Sequence, residues 1–245
     1  MMPLHQPVCF SYKGKRDNNE DYIYPDDGDA TTADTLFLVC DGMGGHAKGE
    51  VASKIACDVF SKEINNDPDG AQQKIIAAAT EKTLAALSVY VKQNAASKGM
   101  GTTLTLLWLQ NNKAILAHIG DSRIYHLKNN QIHFKTKDHS LVQKMVTDGL
   151  ITDEEARVHP KKNVITKALL ADGESYDADI YITGIVEAGD YFFLCTDGVI
   201  ESVDDNTLNE IFLSSVSNQE KMDTIEKICA VNSKDNYSAY LIQIA

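Results

Sequence analysis

Three aspartates in this 245-residue chain share one local setting. Asp41 follows the apolar run Leu36-Phe37-Leu38-Val39-Cys40 and precedes Gly42. Asp197 follows Tyr191-Phe192-Phe193-Leu194-Cys195-Thr196 and precedes Gly198. Asp121 follows Ile115-Leu116-Ala117-His118-Ile119-Gly120 and precedes Ser122-Arg123. Glu20-Asp21 and Asp235-Asn236 flank two further strand-like runs. A single Asp-Gly at a strand end is an ordinary turn signal. Its recurrence points instead to carboxylates gathered at strand tips, close to low-dielectric core where an unpaired charge is costly. Oxygen ligands without His or Cys suit Mg²⁺ or Mn²⁺ rather than zinc. Gly42 and Gly198 fit the same reading, because a missing Cβ lets the backbone approach an ion and its water.

Several other chemistries are excluded by what the chain lacks. It has no GxxxxGK[ST] phosphate loop, no GxSxG nucleophile turn, and no CxxC or HExxH metal spacing. None of the five cysteines is followed by the nearby Arg that a cysteine-dependent phosphatase needs, the only arginines being Arg16, Arg123 and Arg157. The stretch Gly42-Met43-Gly44-Gly45-His46-Ala47 fits a dinucleotide pattern, but Asp41 would face the pyrophosphate and no βαβ alternation follows. With 23 Lys and Arg against 35 Asp and Glu, the net charge of −12 argues against nucleic acid and anionic membrane as partners. The N-terminus lacks an apolar signal core. The cysteines are scattered and odd in number, as expected of thiols in a reducing compartment, so a cytoplasmic location is expected.

The elements that must hold the aspartates can be read from periodicity. Runs rich in Val, Ile, Tyr and Phe predict strands near 7–12, 35–40, 103–110, 113–119, 122–128, 131–136, 179–186, 190–195 and 237–244. Helical spacing predicts helices over 48–65 and 71–97, with two more at 205–215 and 220–231. Thr152-Asp153-Glu154-Glu155 is a capping box opening a short helix that His159-Pro160 ends. Strands come in runs and helices in pairs, which predicts an α+β layered domain rather than a doubly wound parallel sheet. No Pro/Ser/Gly linker divides the chain, so residues 1–245 are expected to form one domain, with 138–172 a helical excursion between strands.

The motifs taken together resemble the metal-dependent Ser/Thr protein phosphatases of the type-2C family, in their bacterial form. The matching segments are RDNNED (16–21), DGMGGHAKGEVAS (41–53), GMGTT (99–103), GDSR (120–123), DH (138–139), HP (159–160), VITKAL (164–169), TDG (196–198) and SKDN (233–236). The resemblance implies an αββα sandwich, two antiparallel sheets between helix pairs, with metals in a cleft at one edge. It implies that Asp41 bridges two Mn²⁺ or Mg²⁺ ions and that the Gly42 carbonyl binds one of them. Asp21, Asp197 and Asp235 would complete that pair, and Asp121 would hold a third, weaker ion. Arg16 would hold the substrate phosphate, and 138–172 would be the flap beside the cleft that influences substrate choice. The implied reaction is hydrolysis of phosphoserine and phosphothreonine by a metal-bridging water or hydroxide. Phosphoryl transfer of this kind needs charge neutralisation and an in-line nucleophile more than covalent help.

Departures from the family pattern mark the open points. Met43 stands where many eukaryotic members carry a proposed general-acid histidine, which leaves His46 as a candidate general acid. Lys167 and Leu170 replace the usual Arg and Gly, and Ser233 replaces a Gly. His118, His126, His133 and His139 lack ligand spacing and are expected to be structural, as are Thr102 and Thr103. The expected partners are phosphorylated proteins made by a bacterial Ser/Thr kinase, met by a monomer. The alternatives are a catalytically weak phosphoprotein-binding regulator and a phosphatase for small phosphoesters.

Overall fold

Strand β3 (Leu36–Met43) shows how the layers arise. Successive side chains of a strand point to opposite faces. Leu36, Leu38 and Cys40 therefore pack to one side and Phe37 and Val39 to the other, and all five are buried. A strand buried on both faces has to lie inside a stack. A computed structural model describes residues 3–44, 48–66, 71–172 and 176–245, and in it that stack has four layers.

One sheet has the order β1 (Val8–Tyr12), β12 (Tyr237–Gln243), β11 (Tyr191–Cys195), β7 (Arg123–Lys128), β8 (Gln131–Lys135). The other contains β10 (Asp179–Ile182), β6 (Lys113–Ile119), β5 (Leu104–Gln110) and β3, extended at one end by β4 (Gly101–Thr102) and β9 (Leu169–Leu170). A further strand, β2 (Asp21–Tyr24), pairs with the opposite edge of β3. All pairings are antiparallel. Phe37, Val39, Leu107, Leu116, Phe192, Leu194, Tyr240 and Ile242 fill the space between the sheets. Helices α1 (Gly49–Asn66) and α2 (Gln72–Gln93) cover the outer face of the second sheet through Phe60, Ile64, Ile76 and Leu87. Helices α6 (Asp205–Leu213) and α7 (Asn218–Asn232) cover the first through Leu208, Phe212, Met222 and Ile225. The α+β expectation holds, and the layers run α-β-β-α as the resemblance implies.

The differences from the predicted elements are local. Strand β10 stops at Ile182 rather than 186, because the Thr183 hydroxyl takes the Ala114 N–H and ends the ladder. The helix expected over 71–97 ends at Gln93, where Asn94 leaves helical geometry and a 3₁₀ turn at Ala95–Ser97 follows. Helix α7 begins two residues before the predicted start, since Ser217 and Glu220 form a second capping box. The predicted box at Thr152 is present and opens α4 (Asp153–Val158), which follows α3 (Leu141–Thr147) in the excursion between strands.

Candidate metal centre

Toward one end of the sandwich the space between the sheets turns from apolar to polar. On β3 the side chain two places beyond Val39, and therefore on the same inner face, is Asp41. On β2 Asp21 occupies the face of Ile23 and lies directly opposite Asp41 in the ladder. Thr196 continues the inner face of Phe192 and Leu194, and Ser238 that of Tyr240 and Ile242. Thr196 Oγ1 donates to Asp21 Oδ2 at 3.0 Å and accepts from the Ser238 N–H at 3.0 Å. Asp197 follows as the first residue of the short helix α5 (Asp197–Ile200). Asp121 lies in the β6–β7 connection at the same end, since Leu104 pairs with Ile119 and Cys195 with Arg123. Asp235 sits in the loop between α7 and β12.

The five carboxylates act on one another. Burial raises the Asp41 carboxyl well above the ordinary carboxylate range, and the charges of Asp197, Asp21, Asp121 and Asp235 push it further. Burial, then Asp235 and Glu201, push Asp197 up to about 7. Burial pushes Asp21 up to about 8, with Asp197 and Asp235 adding to it against hydrogen bonds from Ser238 and Thr196. Asp121 is raised well above its ordinary value by burial, then by Asp197 and Asp138. Mutual repulsion of this kind is relieved by protons or by metal cations.

Two observations favour cations. The Oδ1 atoms of Asp21 and Asp121 are buried and accept no hydrogen bond, although a buried carboxylate oxygen ordinarily has a partner. The donor set is also all oxygen, which matches Mg²⁺ and Mn²⁺. Among the described residues no three His, Cys, Asp or Glu side chains close around a single point. The rim therefore offers separated carboxylates whose ions would complete their shells with water, as Mg²⁺ ordinarily does.

Arg16 joins this rim. Its Nη2 donates to Asp235 Oδ2 at 2.5 Å and its Nε to the Lys234 carbonyl at 3.3 Å, while the side chain stays 57% exposed. Asn236, read in the sequence as part of the SKDN segment but given no role there, sets this geometry. Its Nδ2 donates to the carbonyls of Lys13 and Asn18, and its Oδ1 accepts from the Glu20 N–H, tying the 13–20 segment to the Asp235 loop. Ser233 caps the same loop by accepting from the Asp235 N–H at 3.2 Å. Thr103 joins Asp41 to the Asp121 loop, accepting from the Asp41 N–H at 2.9 Å and sharing a 2.8 Å hydrogen bond with Ser122. His46, the candidate general acid, lies outside the described residues.

Gly42 and Gly198 make room for neighbouring backbone. A Cβ on Gly42 would stand 2.2 Å from the Gly49 carbonyl oxygen and 2.4 Å from that of Glu20, and one on Gly198 would stand 1.9 Å from that of Asn236. These glycines let β3, α1 and the two acidic loops close on one another.

Beside the rim, residues of the 138–163 segment border a cavity of about 430 Å³, with Asp121 and Asp197 among its lining residues. Ser140, Val142, Arg157, Ile200 and Glu201 also line it, and Arg157 Nη2 donates to the Ile200 carbonyl at 3.2 Å.

Comparison with known proteins shows the family and the fold. The sequence profile of the family described as Protein phosphatase 2C matches residues 13–241. The chain is 33% identical over 233 residues to the protein phosphatase PhpP of Streptococcus pneumoniae, covering 94% of this chain and 93% of that one. It is 36% identical over 195 residues to the serine/threonine protein phosphatase PstP of Mycobacterium tuberculosis, covering 80% of this chain but only 36% of PstP. The crystal structure of the PstP catalytic domain in complex with two manganese ions superposes with a TM-score of 0.86 at 30% identity, covering 100% of both chains.

Proposed function

The chain belongs to the protein phosphatase 2C family, and on that premise we propose that it removes phosphate from phosphoserine and phosphothreonine in proteins. The observation that carries the proposal is the rim of five mutually repelling aspartates at one end of the sandwich, two of them with unpartnered buried oxygens. Asp21, Asp41, the Gly42 carbonyl, Asp197 and Asp235 would hold two Mn²⁺ or Mg²⁺ ions, and Asp121 a third. Such ions, when bound, lower the pKa of water to near neutrality and offset the charge of a phosphate.

The chain's own groups supply position. Arg16 stands against Asp235, so a phosphate gripped by its planar guanidinium is gripped at the rim. The flap cavity offers room beside the phosphate for neighbouring residues of a protein substrate. The whole chain, 1–245, serves as one catalytic domain with 138–172 as its flap. Its substrates are products of a bacterial Ser/Thr kinase, and it acts as a monomer in the cytoplasm. The name of the relative PstP, a serine/threonine protein phosphatase, supports the substrate class. Four buried free thiols, Cys40, Cys57, Cys195 and Cys229, support a reducing location. No helix among the described residues is long and apolar enough to cross a membrane.

Substrate class is tested by comparing kcat/KM for a phosphothreonine peptide and for a nucleoside triphosphate, both with Mn²⁺. The peptide is expected to be preferred by roughly tenfold or more. Thiol alkylation should leave the peptide rate unchanged, because the four buried cysteines take no part. Preference for the nucleotide would instead assign the site to small phosphoesters.

A further inference from the structure

Asp121 is held by an unusual amount of surrounding structure. Gly120 before it has φ +108°, and a Cβ there would stand 2.5 Å from Thr103 Cγ2. Ser122 after it shares its hydroxyl with Thr103, and its carbonyl accepts from His118 Nε2 at 2.9 Å. Arg123 is fixed by a two-pronged contact with Asp138, at 2.7 and 2.8 Å. Each neighbour of Asp121 is thus tied down while its own Oδ1 has no partner.

One residue makes two of these ties to the Gly120 peptide. The His139 N–H donates to the Gly120 carbonyl at 2.7 Å, and the Gly120 N–H donates to His139 Nδ1 at 3.1 Å. Because Nδ1 accepts, the ring proton sits on Nε2, which donates to Asp179 Oδ2 at 3.1 Å. Lys167 Nζ reaches the other oxygen of Asp179 at 3.4 Å. Asp179, on β10, thereby selects the tautomer that leaves Nδ1 free to accept. The His139 carbonyl accepts from Thr166 N–H at 2.7 Å, so the two ends of the flap meet at the same residue.

We propose that His139, oriented by Asp179, is a positioning residue that sets the Asp121 carboxylate for its metal ion. This rests on the assignment of Asp121 as the ligand of the weakest ion. A carboxylate–histidine pair hydrogen-bonded to the backbone of the residue adjoining a ligand resembles an outer-shell device, whose loss typically costs about 10–100-fold in metal affinity.

The test is calorimetric Mn²⁺ titration of the chelator-treated full chain, with KM for a phosphothreonine peptide measured alongside. Asp121→Asn is expected to remove the weakest binding event. His139→Ala should weaken that event by about 10–100-fold while leaving the tighter events and the peptide KM unchanged. His139→Asn, whose carboxamide oxygen can accept from the Gly120 N–H, should recover most of the loss. Asp179→Ala, at a side chain 38% exposed and so safe for the fold, should weaken the same event by a smaller factor. The proposal is overturned if Asp121→Asn removes the event but His139→Ala and Asp179→Ala leave it intact. It is equally overturned if they weaken every event alike, which is what a purely structural role would do. Should His139→Ala fail to melt cooperatively, Asp179→Ala and His139→Asn decide by the same criteria. An Asp121→Asn variant with unaltered binding would instead remove the assignment of Asp121 itself.

Discussion

Asp41→Asn and Asp197→Asn are each expected to abolish phosphothreonine-peptide hydrolysis, lowering kcat/KM by about 10³-fold or more, and each to raise the melting temperature of the chelator-treated protein. The first effect follows from charge. Asparagine keeps the shape and one oxygen but not the anion, and a ligand's own loss exceeds the ~10–100-fold typical of its outer shell. The second follows from repulsion. Asp197 and Asp21 hold protons to about 7 and about 8, against 3.8 for an ordinary aspartate, because burial and neighbouring carboxylates disfavour their ionised forms. Between about pH 4 and those values the folded chain binds more protons at these two groups than the unfolded chain does, so their contribution to stability is fully present below about pH 4 and is lost as pH rises toward about 8. Neutralising one carboxylate relieves part of that loss, and the gain should be larger at pH 8 than at pH 5. Added Mn²⁺ should likewise stabilise the wild-type chain more at pH 8, since ion binding requires the carboxylates to be unprotonated. Thermal melts of wild type and both variants at the two pH values, with chelator and with Mn²⁺, check the whole pattern. A variant that loses turnover and stability together would show the aspartates to be structural.

Gly198→Ala is the second large effect. Its Cβ would meet the Asn236 carbonyl oxygen at 1.9 Å, and that oxygen is backbone, with no side-chain rotation to relieve the clash. Overpacking of this kind costs about 1–3 kcal/mol. For a chain of this length that is a fall of roughly 2–12 °C in melting temperature. Activity should fall further than stability, by about 10²-fold, because displacing Asn236 moves the loop that carries Asp235 and, through the Asn236 hydrogen bonds to Lys13 and Asn18, the segment that carries Arg16. Gly42→Ala should behave similarly, pressing on Gly49 and Glu20. Gly184, with no heavy atom within 4 Å of where its Cβ would stand, provides the control, and Gly184→Ala should change neither quantity. Melting curves and initial rates on the three variants decide the matter. A Gly198→Ala variant with wild-type rates would mean that the loop adjusts freely.

Much of this organisation is legible in the amino-acid sequence. The run Leu36–Cys40 announces a strand buried on both faces, and Asp41 falls in phase with Phe37 and Val39. The long helices and the Thr152 box are legible because periodicity and capping are local signals. What local reading cannot give is the partner. Strand β2 has four residues, Asp21-Tyr22-Ile23-Tyr24, too few to show a period, and it forms because β3 offers it an edge. Strands β4 and β9 have two residues each and exist only through their pairings. Asp197 reads as a turn after a strand but opens α5, a helix of a single turn. The hairpin tips at Asn111-Asn112 and Asn129-Asn130 carry φ values of 50–60°, the left-handed geometry that Asn tolerates, and such Asn pairs are themselves turn signals. The four-layer order comes from resemblance, since periodicity alone reaches only a layered α+β domain. His139 reads as structural because its role depends on Gly120 and Asp179, which are 19 and 40 residues away.

On the proposed function, the aspartate rim works by binding divalent cations. Its most direct test is phosphothreonine-peptide hydrolysis by chelator-treated protein as Mn²⁺ or Mg²⁺ is titrated in. Negligible turnover with chelator, saturable restoration by either ion, and no restoration in Asp41→Asn are the expected results. Full turnover in chelator would contradict a cation-dependent rim, and so would a folded wild-type protein that stays inert at millimolar metal.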